Sequence, residues 1–154
     1  MSYIMSLRKY IGHSLLINVG PTVIILNDKN EILLNHRTDT DTWGIIGGGM
    51  ELGESLEEAA RREVYEETNL VVSGLKLLTV FSGKELYFKY PNGDETYNVA
   101  VLYIAKEIKG NLKINDGESK ELKYFSFDAL PELESRAKYI IDWVIKNDRN
   151  RTKV

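Results

Sequence analysis

The chain has 154 residues, 43% of them hydrophobic, enough for one globular domain with its own core, and residues 1–154 read as a single domain. A net charge of −3 with no basic tract argues against a protein held on nucleic acid by charge alone, so no stable nucleic-acid partner is expected. The absence of cysteine excludes disulfides, thiolate catalysis and zinc–sulfur sites.

Tyr3–Tyr10 predicts a short helix ending near Gly12. Residues 1–18 have scattered charge and no long apolar core, unlike a signal peptide, and no run approaches eighteen apolar residues, so a cytoplasmic chain without a membrane span is expected. Ser14–Asn18 reads as a strand that stops at Gly20–Pro21, and Val23–Leu26 as a strand covered on both sides. The polar turn Asn27–Asn30 leads into Glu31–Arg37, so these two runs are expected to form a hairpin. Thr38–Thr42 is loop-like, and Trp43–Ile46 delivers the chain into Gly47, Gly48 and Gly49. Ser55 is a good helix N-cap, Glu58 completes a capping box, and Leu56–Thr68 contains no Gly or Pro, which predicts a helix. Leu75–Phe81 and Glu85–Tyr90 read as strands, and the turn Pro91–Asp94 joins the latter to Thr96–Ile104 as a second hairpin. Leu122–Phe127 is a further strand, and Ser135–Lys146 an amphipathic helix with Ala137, Ile140, Ile141, Val144 and Ile145 inward. Strands on either side of one central helix, with another helix at the end, predict a layered α/β fold.

Charge is concentrated around the central helix. From Glu51 to Glu67 there are seven Glu and two Arg, a local balance of −5 against −3 for the whole chain. At about 100° per residue, Glu63 and Glu67 share the azimuth of the inward-facing Leu56, with Glu66 beside them. Clustered carboxylates repel, the more so where water is excluded, so a cation is expected among them. Arg62 lies an i,i+4 step from Glu58 and Glu66 and can serve one carboxylate; the remainder suits a hard divalent cation, Mg²⁺ or Mn²⁺. A solvated Glu-rich face would be the ordinary alternative, but it explains neither the inward azimuth nor the glycine triplet at the helix entrance. Glycines let a backbone approach a ligand closely. Together these features suggest metal-assisted hydrolysis of a phosphoric anhydride.

From Gly48 the spacing is G-x5-E-x7-R-E-U-x-E-E-x-G-U, where U is a bulky apolar residue, and it resembles the Nudix box. Gly48, Glu54, Arg62, Glu63, Val64, Glu66, Glu67 and Leu70 fall on it. Two positions depart from the pattern: Asn69 stands where the family has Gly, and Ile46 where many relatives have Pro. Asn tolerates the left-handed conformation expected after the helix, at a cost under about 1 kcal/mol. The resemblance implies a Nudix-like α/β/α sandwich with a central mixed sheet and a loop–helix–loop catalytic motif. It also implies hydrolysis of a nucleoside diphosphate linked to another moiety, with ADP-ribose or another nucleotide sugar as a plausible substrate. By the same match Glu63, Glu66 and Glu67 would be metal ligands together with the Gly47 backbone oxygen. Glu66 or Glu67 would help activate water, and Gly48, Glu54 and Arg62 would be structural.

Outside the box, Glu118 is the candidate for an additional catalytic carboxylate and Glu121 the second choice. Arg37 is a candidate phosphate contact, and Trp43, Tyr87, Tyr90, Tyr97 and Tyr103 are candidate stacking surfaces for a base. His13 and His36 carry no assigned role. The alternatives to the nucleotide-sugar reading are a (d)NTP or RNA 5′-end pyrophosphohydrolase and a non-catalytic nucleotide-sensing Nudix domain. The expected partner is a small nucleotide, and a second copy of the chain is a candidate partner for a homodimer.

Overall fold

The computed structural model describes residues 1–147. Helix α1 (Tyr3–Ile11) is N-capped by Ser2 and ends at Gly12, where φ is 59°. It is followed by β1 (Leu16–Ile24), β2 (Ile32–Arg37), β3 (Trp43–Gly47), α2 (Leu56–Thr68) and β4 (Val71–Phe81). A short 3-10 turn at Lys84–Leu86 leads to β5 (Tyr87–Lys89), β6 (Glu95–Lys109), β7 (Ser119–Phe125) and α3 (Ser135–Asn147). The sheet order is β4–β6–β1–β3–β2–β7, with β5 pairing β6. β1 and β6 are parallel and the other pairs antiparallel, so the sheet is mixed.

Alternation along the central strands sends successive side chains to opposite faces. Val23, Val101 and Tyr103 pack on one face with Ala60 and Val64 of α2. Ile24, Leu102 and Ile104 pack on the other with Ile140, Ile141 and Val144 of α3. The result is the expected α/β/α sandwich. Ile141 is wholly buried, so Ile141→Ala is expected to cost about 2–5 kcal/mol in a denaturant titration. A cost below about 1 kcal/mol would contradict this packing. No helix among the described residues is long and apolar enough to cross a membrane.

The hairpin expected from Val23–Leu26 and Glu31–Arg37 exists only at its tip. Leu26 bridges Ile32, the Leu33 amide donates to the Ile25 carbonyl at 2.9 Å, and the arms then diverge. Trp43–Gly47, read from sequence as a connection, is a strand that nests in this fork. It follows β2 through His36↔Trp43 and Leu34↔Ile45, then β1 through Val23↔Ile46 and Thr22↔Gly47. Gly20–Pro21 does not interrupt β1, because the Pro21 carbonyl accepts the Gly48 amide at 3.2 Å where the β1–β3 ladder ends. In an extended residue N–H and C=O point to the same side, so the donor proline lacks is missing where little of the ladder remains. β4 begins four residues earlier than expected, Glu85–Tyr90 splits into the 3-10 turn and β5, and β7 runs over Ser119–Phe125 rather than Leu122–Phe127.

Candidate active site

Helix α2 starts with both arms of its capping box. The Glu58 amide donates to Ser55 Oγ at 3.1 Å, and the Ser55 amide donates to Glu58 Oε2 at 2.8 Å. It ends at Asn69 in the left-handed conformation, φ 65°, ψ 6°. At the other end of the motif the glycine loop lies directly on β1. The Gly48 amide bonds the Pro21 carbonyl and the Met50 amide bonds the Val19 carbonyl at 2.9 Å. An added Cβ at Gly48 would lie 2.4 Å from the Glu63 carboxylate, so the side chain from α2 rests against the loop backbone.

Arg62 gathers the loop and the helix. Its Nε donates to Glu54, its Nη2 donates to Glu54 and to the Gly49 carbonyl at 3.0 Å, and its Nη1 donates to Glu63 at 2.8 Å and Glu66 at 3.2 Å. Glu54 also accepts the Glu51 amide at 2.8 Å. The Glu54 hydrogen bond raises the Arg62 pKa further above its ordinary value, and the same contact holds the Glu54 carboxyl below the usual carboxylate range.

Glu67 has a different environment. It is 5% exposed and accepts the Gly47 amide at 3.3 Å and the Asn35 side-chain amide at 3.2 Å. Burial pushes its carboxyl well above the usual range, and the neighbouring charge of Glu63 adds to this. Burial also raises Glu63, against the opposing effect of Arg62. Glu66 is half-exposed. Glu63, Glu66, Arg62 and Glu118 line one open cleft, bounded across from them by Met1, Ser2 and Met5 of the α1 segment. The Tyr3 amide fastens that segment to Glu51 at 2.9 Å, and Arg8 fastens it to Asp94 and the Glu95 carbonyl.

Glu118 therefore lies beside the box, and burial followed by the charge of Asp116 raises its carboxyl. Glu121 is exposed on β7, opposite His36. Gly47 sits at the end of β3 with its amide turned to Glu67. Arg37 pairs with Asp39 at 2.9 and 2.7 Å and lines a second cleft across the glycine loop. Among the aromatic candidates only Tyr90 lines the clefts. Trp43 is sandwiched between His36 and Phe125, Tyr87 pairs with Tyr97, and Tyr103 is buried with its hydroxyl on Glu57. His13 contacts Asp94 and His36 contacts Asp41. Sequence reading missed Asn35, which also donates to Ser119 Oγ at 3.3 Å and whose Oδ1 is buried without a partner. A polar residue directly after the apolar run Ile32–Leu34 was its one available signal.

Among the described residues no three acidic or histidine groups converge into a finished metal cage, and Arg62 stands between Glu63 and Glu66. The donor set nevertheless fits a hard cation. It is all oxygen, and its most buried member, Glu67, has no basic partner among the described residues.

The sequence pattern of the NUDIX domain matches residues 17–144. An ADP-ribose pyrophosphatase of Methanocaldococcus jannaschii is 35% identical over 112 residues, covering 71% of this chain and 62% of that protein. An NAD-capped RNA hydrolase NudC of Edwardsiella ictaluri is 27% identical over 118 residues, 75% of this chain and 42% of that protein. The chain thus spans less than two thirds of the length of these curated relatives. The crystal structure of a MutT NUDIX hydrolase from Burkholderia pseudomallei superposes with a TM-score of 0.71 at 27% identity, covering 84% of this chain and 98% of that one. With a glycine loop braced to a carboxylate helix in the same sandwich, and the match running over most of its length, this chain belongs to the Nudix family.

Proposed function

We propose that this chain is a divalent-metal-dependent pyrophosphohydrolase acting on a nucleoside diphosphate linked to a second moiety, with nucleotide sugars such as ADP-ribose as the first class to test. The observation that carries the reading is Glu67, a buried carboxylate without a basic partner among the described residues, next to Glu63, which with Glu66 lines an open cleft. A purely structural role leaves that charge unexplained, since burying it uncompensated costs several kcal/mol by general estimates of about that size.

Glu63, Glu66, Glu67 and the Gly47 backbone oxygen would hold the cation, Mg²⁺ or Mn²⁺. Bound there, it supplies Lewis acidity at phosphorus and neutralises the diphosphate. Arg62, fixed by Glu54 and the Gly49 carbonyl, keeps Glu63 and Glu66 together at the cleft wall. Gly48, with no side chain, lets the Glu63 carboxylate rest on the loop. Glu118, and Glu66 or Glu67, would accept a proton from the attacking water. Two relatives support the bond type: one is named an ADP-ribose pyrophosphatase and the other an NAD-capped RNA hydrolase. The mild negative charge of this chain favours small nucleotides over long RNA.

The test is a panel of nucleoside diphosphate sugars, dinucleotides and nucleoside triphosphates with Mg²⁺ or Mn²⁺, with release of nucleoside monophosphate and phosphate measured. Turnover that requires the metal and stops with EDTA is expected. No metal-dependent turnover across the panel would favour a nucleotide-sensing domain instead.

A further inference from the structure

The second cleft meets the carboxylate-lined one at Asn18, Gly49 and Tyr90. Its volume is about 170 Å³, below the roughly 300–1,000 Å³ of clefts that enclose whole drug-sized ligands. It is therefore suited to one ring system, with the rest of the ligand outside. Its floor is apolar, from Leu86, Val99, Ala100 and Ile140. Tyr90 stands edge-on to Phe88 at 4.7 Å and forms a wall towards the carboxylates.

Two polar groups in this cleft have unused capacity. The Arg136 guanidinium lies 3.9 Å over the Phe88 ring, and its Nε donates to Glu134 at 3.0 Å. Its terminal nitrogens make no hydrogen bond among the described residues, although stacking and ion pairing hold the group in place. Asn98 Nδ2 donates to the Leu86 carbonyl and to Thr96 Oγ1, both at 3.0 Å. A carbonyl can only accept, so this contact fixes the amide orientation and leaves Asn98 Oδ1 as an acceptor with no protein donor among the described residues.

We infer that this cleft is the base-recognition subsite of the enzyme, built for a nucleobase that carries an exocyclic amine. Arg136 donates to a ring acceptor, Asn98 Oδ1 accepts the amine, and Tyr90 covers the ring while the diphosphate passes over Gly48 and Gly49 towards the carboxylates. Adenine satisfies both groups. Hypoxanthine, with an oxygen in place of the amine, leaves Asn98 Oδ1 facing another acceptor, and a site built around such a bond rejects the analogue that lacks it.

The inference rests on the nucleotide-hydrolase reading but is tested without turnover. AMP and IMP are titrated calorimetrically into the full chain in EDTA. AMP is expected to bind roughly tenfold or more tightly than IMP. Asn98→Ala should bring the two within about twofold of each other. Arg136→Ala should weaken AMP roughly tenfold, while the rise in melting temperature with Mn²⁺ is retained. Arg136→Lys, which keeps the charge but not the stacked planar fork, replaces it if the alanine variant does not fold. Equal binding of AMP and IMP to the wild type, binding of neither, or variants that leave the ratio unchanged would each overturn the subsite. Discrimination without hydrolysis would sink the hydrolase reading alone, and hydrolysis without discrimination would sink only this inference.

Discussion

Glu67→Gln is expected to lower metal-dependent turnover by at least roughly 100-fold and, in EDTA, to make the protein more stable by about 1–3 kcal/mol. The two effects have one origin. In the wild type a carboxylate 5% exposed accepts the Gly47 amide and the Asn35 side chain and has no basic partner among the described residues, with Glu63, Asp116 and Glu118 adding negative potential. The amide removes the charge and keeps the shape. Its new N–H group also has an acceptor within reach, because Asn35 Oδ1 is buried and unpartnered, and a flip of the Asn35 amide would present that oxygen. Thermal melts with EDTA and with Mn²⁺ read both sides. The variant should melt higher than wild type by about 2–4 °C for each kcal/mol without metal and show little of the metal-induced rise. Wild-type rates in the purified variant would remove Glu67 from the metal site.

Gly20→Ala is expected to be the most damaging methyl in the chain. A Cβ there would fall 1.7 Å from the Gly48 carbonyl oxygen, 2.7 Å from its carbon and 2.9 Å from Gly49 Cα. All three are backbone atoms of the glycine loop, so no side chain can swing away, and the loop must lift off β1. Overpacking of this kind costs roughly 1–3 kcal/mol or more. A shift of about 1 Å in a catalytic frame costs on the order of 100-fold in rate. The matching control for stability is Gly117→Ala, where nothing lies within 4 Å of the added carbon and less than about 0.5 kcal/mol is expected. Similar losses in both variants would show that the loop does not rest on β1 as described.

The parts of this molecule that sequence revealed are those determined by neighbours in the chain. The capping box needs only Ser55 and Glu58, the left-handed end only Asn69, and the contact of Arg62 with Glu66 only a step of four residues along α2. The buried face of α3 followed in the same way from its period. What escaped depends on the third dimension. Trp43–Gly47 becomes a strand because β1 and β2 diverge and leave a fork, and the distance between two other strands is not written in its own five residues. Gly20–Pro21 reads locally as a break. It is tolerated because the glycine makes room for the loop and the proline sits where the ladder ends. Asn35, Asn98 and Arg136 belong to three separate elements and carry no motif, so only their convergence on Glu67 and on the second cleft gives them meaning. Arg37 lines that second cleft, but paired with Asp39, a contact its place at the end of a strand did not disclose.

Both tryptophans of the chain, Trp43 and Trp143, pack on the α3 side of the sheet, Trp43 against Phe125 and Trp143 against Phe81. The α2 side has Tyr103 and Tyr124 but no indole. Intrinsic tryptophan emission therefore reports on one layer of the sandwich. Loosening of the carboxylate helix when metal is withdrawn would pass almost unseen in that signal, whereas release of α3 would change it strongly. A tryptophan placed at Tyr65, half-exposed on the outer face of α2, would give the α2 layer a reporter of its own.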